Sequence, residues 1–355
     1  MSPENKKQRH HQIPRCYLQR FACPATGRVW TYDKEAEKSW PRSIEDTGFE
    51  RHLYSITMED GKRNTEIEDM ICRIEDVGAP LLQEVISGKH LLGQDRYDFA
   101  SFVAMMLVRT NAFRRLYAEV HGHIRMARDY RVASEDSLFE TTMQRFQADC
   151  GEIPENIKQK LRSIMLDPSD QIIQVDREYT LLALGFHDQL APLLSSMEWT
   201  LVEAPKGDRW FITSDNPVVQ WVPPQYCHPS RGTGGLRNKH VEVLFPLSPA
   251  LCWIGHWLHG APKCIQNTAE WVKQTNRMTA DSAERFLYSH VERAGILRLA
   301  KKYGAIQPRV QMFGPGSENK AEIRVVKSPA TKTDNKASSP TRHGSRGTSD
   351  GVEPS

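Results

Sequence analysis

Apolar positions near the start of the chain recur at helical spacing: Ile13, Tyr17, Leu18 and Phe21 share one face. They overlap the run His10-His11-Gln12-Ile13-Pro14-Arg15-Cys16-Tyr17-Leu18-Gln19-Arg20-Phe21. Chain ends are usually poorly ordered unless something ties them down. This apolar face supplies the tie. The pattern therefore predicts that His10 and His11 are held in place, where imidazoles can act as acid, base or ligand.

Alternation takes over next. Residues 28–32 alternate after a Thr26-Gly27 turn signal and predict a strand; 52–56 predict a second strand that ends at Asp60-Gly61. The stretch 40–43, with Pro41 inside it, reads as loop. Helical spacing then returns at Ile67, Met70, Ile71, Ile74, Val77, Leu81, Leu82 and Val85. Asn64 or Thr65 would cap that helix and Ser87-Gly88 would end it, with Glu66, Glu68 and Asp69 in the first turns, where the helix dipole favours anions. A longer helix is predicted from about residue 95 to 130, with Phe99, Phe102, Val103, Met106, Phe113, Leu116, Tyr117 and Val120 facing inward. Weaker helices fall between 135 and 166, and another spans 177–196. Strand character resumes at 199–203 and 210–213, which flank Lys206-Gly207-Asp208 as a predicted hairpin. Residues 241–245, ending at Pro246, and 251–254 read as further strands, and an amphipathic helix is predicted over 268–290.

There is no internal repeat and no βαβ alternation. The order β, α, β, α predicts an α+β fold, a helical middle packed with a mostly antiparallel sheet. From Pro329 onward almost no apolar residue remains, and the change begins near Phe313-Gly314-Pro315-Gly316. Residues 1–316 are accordingly read as a single globular unit and 317–355 as a disordered polar tail.

Composition narrows the class. The chain of 355 residues is 39% hydrophobic and 26% charged, an ordinary soluble balance with room for a core. A net charge of +3 does not argue for nucleic acid or an anionic membrane, so a nucleic-acid partner is open but not implied. No run of about 18 apolar residues predicts a membrane span, and the polar opening MSPENKKQRHH does not read as a secretory signal. Seven scattered cysteines without a CxxC pair fit reduced thiols in a cytoplasm.

Five further residues join the two histidines as chemical candidates. Arg109 lies three residues after Met106 and seven after Phe102, on the apolar side of its helix, so its charge must be paired. Glu68 and Glu75 are natural partners, seven residues apart in one sector of their helix and roughly 10 Å apart along its axis. One could meet Arg109 and the other a histidine. Asp215 and Asn216, in Thr213-Ser214-Asp215-Asn216-Pro217, sit at a predicted strand end, where polar groups can reach a cleft. The same two residues would also suit a turn before Pro217, bonding only nearby backbone. Cys227, His228, His240, Cys252, His256, His259 and Cys264 lack the close ligand pairs that zinc requires. Phosphate-loop, dinucleotide, serine-elbow and HExxH patterns are absent. The glycine-rich stretch 231–235 reads as a flexible loop, a candidate lid.

Taken together these motifs resemble the bacterial domain-of-unknown-function family numbered 4238. The resemblance rests on the opening from His10 to Phe21; on Trp30, Tyr32, Asp33 and Lys34; and on Ile67-Glu68 with Ile74-Glu75. It continues through Phe102, Ala104, Arg109 and Thr110, the run from Ile212 to Pro217, and Pro246 to Pro249. It ends on Asn276, Ala283, Glu284, Arg285, Tyr288 and Ser289. Where the family has proline after Arg-Thr this chain has Asn111, which predicts an uninterrupted helix. The resemblance implies no established activity. It does imply that His11, Glu68, Glu75, Arg109, Asp215 and Asn216 form one constellation.

Two functions follow as expectations. In the first, the constellation is the site of a hydrolase acting on a phosphodiester or similar bond, as a phosphodiesterase or nuclease does. A histidine beside a carboxylate would be the base, an arginine would meet the developing charge, and a divalent metal could assist. In the second, the protein is a non-enzymatic binding or regulatory module and the same network is structural.

Overall fold

The computed structural model of the chain describes residues 9–51, 56–57, 63–64, 66–166, 177–207, 209–227 and 235–304. Strand β1 (Arg9–His11) leads through Pro14 into the one-turn helix α1 (Arg15–Leu18). Strands β2 (Arg28–Asp33), β3 (Lys38–Ser43), β4 (Phe49–Arg51), β5 (Ile56–Thr57) and β6 (Arg63–Asn64) follow. The helical middle comprises α2 (Glu66–Ile86), α3 (Gly93–Val108), α4 (Asn111–Ser134), α5 (Asp136–Cys150), α6 (Glu155–Leu166), α7 (Arg177–Leu184) and α8 (His187–Ser196). The last third holds β7 (Glu198–Glu203), β8 (Thr213–Ser214), β9 (Val219–Trp221), β10 (Glu242–Ser248), β11 (Leu251–His256) and β12 (Cys264–Gln266). It closes with α9 (Ala269–Ser282), β13 (Phe286–Ser289) and α10 (Ala294–Tyr303).

Two sheets carry the β layer, in the strand orders β12-β7-β11-β10-β9 and β3-β2-β13-β8. Their pairings are antiparallel except for β12, which runs parallel to β7. Small ladders join β1 to β4 and β5 to β6. The fold is thus α+β, with a helical middle and mostly antiparallel sheets. The second sheet joins an early hairpin to late strands, so both ends of the described chain close one layer.

The opening apolar face does tie down the N-terminal segment. Ile13, Tyr17, Leu18 and Phe21 are fully buried in a core shared with Phe99, Phe102, Phe245 and Trp253. The Tyr17 hydroxyl donates to the Pro246 carbonyl at 2.7 Å and lies 2.7 Å from the Thr213 hydroxyl, so one side chain clips α1 to both sheets. Helix α2 packs against α3 at Gly78, where an added Cβ would stand 2.5 Å from Phe102. That close approach explains a glycine in a helix interior, where it is otherwise unfavourable.

Several expectations are corrected. The helix predicted over 95–130 is broken, because Arg109 ends α3 and Thr110 turns extended (ψ 152°). The Thr110 hydroxyl accepts from the Phe113 N–H at 3.2 Å and donates to the Leu107 carbonyl at 3.0 Å. A capping threonine interrupts the helix without the proline whose absence predicted continuity. Residues 177–196 form two helices that part near Gly185-Phe186, where the Phe186 ring packs edge-on against Phe113 and Tyr117.

The predicted hairpin across 206–208 does not form, since β7 and β8 belong to different sheets. Between them the Phe211 N–H bonds the Pro249 carbonyl, and the Asn276 side chain takes the Ile212 N–H and the Trp210 carbonyl. Residues 40–43 belong to β3 rather than a loop; Pro41 is tolerated because this strand lies at the sheet edge. Strand β10 continues past Pro246 to Ser248, with the irregularity absorbed between those residues. The helix predicted over 268–290 stops at Ser282, and residues 286–289 pair as β13. The expected strand end and turn at 52–55 and 60–61, the cap at Thr65, the glycine-rich stretch 231–234 and the tail 317–355 lie outside the described residues.

Candidate functional site

Arg109 is 1% exposed, and its guanidinium is engaged on three sides. Nε donates to the Gln12 carbonyl at 2.6 Å, Nη2 to the His11 carbonyl at 2.5 Å, and Nη1 to Glu75 Oε1 at 2.5 Å. The break after α3 serves this arrangement, because Arg109 sits at the helix C-cap with Thr110 starting the next helix. Gln12 reaches across the same junction: its side-chain amide donates to Asn111 Oδ1 at 3.0 Å, and its backbone N–H bonds the Gly48 carbonyl at 2.7 Å. A buried charge is tolerated only when paired and hydrogen-bonded. Here one arginine fixes the histidine segment against α2.

The imidazole of His11 is held beside this pair. Burial pulls its pKa below the ordinary value, and the Arg15 and Arg109 charges add to that; a hydrogen bond to the Thr47 backbone and the Glu75 charge oppose it. Its Nδ1 is buried and has no hydrogen-bond partner in the protein. The ring is therefore neutral near pH 7. Glu75 keeps 26% of its side chain exposed, so the carboxylate that meets Arg109 also reaches solvent. Cys16 lies in the same field. Burial first, and Glu75 second, push its thiol up to about 11, so it stays protonated and is a poor nucleophile. Glu68 is half-buried two turns before Glu75 and adds its charge to the field at Cys72. His10 pairs through β1 with Glu50; its side chain is outside the described residues.

Asp215 and Asn216 have other partners. The Asp215 carboxylate accepts from the backbone N–H groups of Glu284 at 2.9 Å, Arg285 at 2.8 Å and Phe286 at 2.9 Å. Asn216 Nδ2 donates to the Ser282 hydroxyl at 2.7 Å and carbonyl at 3.1 Å. These bonds gather the chain between α9 and β13, which is why the predicted helix ends there. Lys34 completes the closure by donating to the Ala280 carbonyl at 2.8 Å and the Ala283 carbonyl at 2.5 Å. Burial raises the Asp215 pKa against the pull of its three N–H donors and Lys34. Burial likewise pushes Glu284 up to about 7, opposed by Arg115, which pairs with it at 2.8 Å. Arg285 forks onto Asp33, its Nη2 at 2.7 Å and its Nε at 3.1 Å from both oxygens.

Five of the seven predicted residues thus sort into two groups. Arg109 joins Glu75 to the His11 backbone, whereas Asp215 and Asn216 join Lys34, Glu284 and Arg115 around the start of β13; neither His10 nor Glu68 is brought to either group by a described side-chain bond. Gln12, Cys16, Lys34 and Glu284 were missed by sequence reasoning. Gln12 and Cys16 stood inside the opening run, and Lys34 inside the Trp-x-Tyr-Asp-Lys strand. A lysine next to buried strand positions was the available signal. In the His and Cys set of the last third, His256 Nε2 lies 2.9 Å from the Thr200 hydroxyl and its Nδ1 accepts from the Leu258 N–H at 3.2 Å. Among the described residues no group of three or more His, Cys, Asp or Glu could hold a metal ion. Among the same residues, no helix is long and apolar enough to cross a membrane.

The fold and these groups define an α+β protein in which distant polar motifs meet at two buried networks. A family model described as a protein of unknown function, DUF4238, matches residues 9–293, and the chain belongs to that family. Neither a curated protein nor a solved structure matched the chain.

Proposed function

We propose that the protein is a hydrolase of phosphodiester or similar bonds, with His11 as general base and Glu75 as its carboxylate neighbour. The observation that carries this reading is the half-buried His11 ring, its pKa held below the ordinary value, in the field of a Glu75 carboxylate that reaches solvent. A neutral imidazole can take a proton from an attacking water. The water oxygen then forms a bond to phosphorus as the ester oxygen leaves with the electron pair of the broken bond. Arg15, half exposed and paired with Glu45 at 2.7 Å, adds a positive charge to the field at the His11 ring. Arg109 is a positioning residue, because its guanidinium bonds two backbone carbonyls and Glu75.

A second reading, a binding or regulatory module with structural polar networks, is favoured by Asp215 and Asn216, whose bonds are largely to main chain. Hydrolysis of bis(p-nitrophenyl) phosphate by the wild type and by His11→Ala separates the two. The hydrolase reading expects turnover in the wild type, its loss in the variant, and little change in melting temperature. A wild type inactive on this and on a panel of nucleic-acid and phosphomonoester substrates, or a fully active variant, would overturn it.

A further inference from the structure

Ser101, in the interior of α3, meets His187, the first residue of α8, where those two helices pack. Ser101 Oγ lies 2.9 Å from His187 Nε2, and His187 Nδ1 lies 2.9 Å from Asp188 Oδ1. A serine in a helix interior ordinarily bonds back to the carbonyl one turn earlier; here its hydroxyl goes to an imidazole. The Asp188 carboxylate only accepts, so the neutral ring donates from Nδ1 to it and leaves Nε2 to accept from the Ser101 hydroxyl. The Ser101 carbonyl, 3.2 Å from Nε2, is placed to accept once that nitrogen gains a proton. Ser101 and His187 are 9% and 8% exposed, yet Ser101 lines an open hollow of about 140 Å³ together with Arg73, Ile74, Val77 and Asp98.

A hydroxyl, a base within hydrogen-bond reach of it and a carboxylate that orients the base are the parts of an activated serine. We propose that Ser101 is a nucleophile toward short-chain carboxylic esters, with His187 as its general base and Asp188 as the residue that positions the ring. The hollow sets the substrate class. Arg73 and Asp98 offset one another, which favours an uncharged ligand, and the apolar wall of Ile74 and Val77 in so small a volume suits a short acyl group. Ser101 Oγ forms a bond to the acyl carbon as its proton passes to His187 Nε2. The carbonyl electron pair moves onto oxygen, where Arg73 is the cation in the hollow that can meet it. The pair then returns, the bond to the alcohol oxygen breaks with its electrons on that oxygen, and Nε2 gives the alcohol its proton. Water repeats the sequence on the acyl-serine: its oxygen bonds the acyl carbon, its proton goes to Nε2, and Ser101 Oγ leaves with the bond pair and takes that proton. None of these residues serves the His11 reading, and failure of either proposal leaves the other standing.

The test is hydrolysis of p-nitrophenyl acetate by the full chain, with acid-quenched samples searched by peptide mass spectrometry for the acetyl group. The wild type is expected to turn over and to carry the acetyl group on Ser101. Ser101→Ala and His187→Gln are each expected to lower kcat/KM at least about a hundredfold, with thermal melting as the check on folding. The Asp188 side chain is 91% exposed, so its variants leave the packing intact. Because the pair it makes with the ring is open to solvent, Asp188→Asn is expected to lower kcat about tenfold with KM unchanged, and Asp188→Glu to keep most of the activity. Ser134→Ala, at an exposed serine outside the hollow, is expected to react as the wild type does. A wild type that carries no acetyl group on Ser101, a Ser101→Ala variant as active as the wild type, or an unchanged kcat in Asp188→Asn would overturn the proposal.

Discussion

Replacing Arg109 by methionine removes the guanidinium while keeping an unbranched side chain of similar reach. The structure sets the cost. Two backbone carbonyls, of His11 and Gln12, lose their donor, and Glu75 loses its partner. Hydrogen bonds to charged groups are worth about 1.5–3 kcal/mol each, and breaking a buried ion pair costs roughly 3–5 kcal/mol. Glu75 is one-quarter exposed and water can reach it, which places the total towards the lower end, about 3–4 kcal/mol. For a domain of this size that corresponds to a fall in Tm of roughly 10 °C. Urea denaturation followed by tryptophan fluorescence measures it, and limited proteolysis reports whether the opening segment is released. Glu75→Gln keeps an oxygen for Arg109 to donate to, so its cost is expected to be about 1 kcal/mol, the worth of an ordinary hydrogen bond. An Arg109→Met variant within about 1 kcal/mol of the wild type, with the opening segment still protected, would refute the claim that this arginine pins the histidines.

Two further outcomes follow from the packing and the second network. Gly78→Ala places a Cβ 2.5 Å from Phe102, so α2 must shift away from α3; a loss of about 1–3 kcal/mol is expected by chemical denaturation, and no loss would mean the helices are not in contact there. Glu284 holds its proton more tightly folded than unfolded, with a pKa raised from 4.5 to about 7, so its contribution makes stability fall as pH rises from 4.5 towards 7. Glu284→Gln is expected to flatten that slope in denaturation series at pH 5 and pH 8, and an unchanged slope would contradict the burial of this carboxyl.

The N-terminal anchor was readable because its signal is local: four apolar residues at helical spacing needed only a core to enter, and all four are fully buried. Arg109 was readable for a related reason, since a cation among Phe102, Met106 and their neighbours must find a partner, and Glu75 lay in reach. The break at Thr110 was not readable, because threonine is compatible with helix or cap, and the choice was made by Arg109 reaching back to β1. The two sheets were hidden for a different reason. Residues 210–213 have strand composition, yet their neighbours are β13, Pro249 and Asn276, all distant in sequence. Asp215 shows the limit most clearly. An aspartate before Asn-Pro is equally suited to a cleft or a turn, and only the arrival of residues 284–286 decided that its oxygens would accept backbone N–H groups.

The most direct measurement is the titration of His11 by nitrogen-resolved NMR of the full chain, assigned by comparison with His11→Ala. A base that is neutral near pH 7 requires a midpoint below the ordinary 6.5. A midpoint at or above 6.5 would contradict the account.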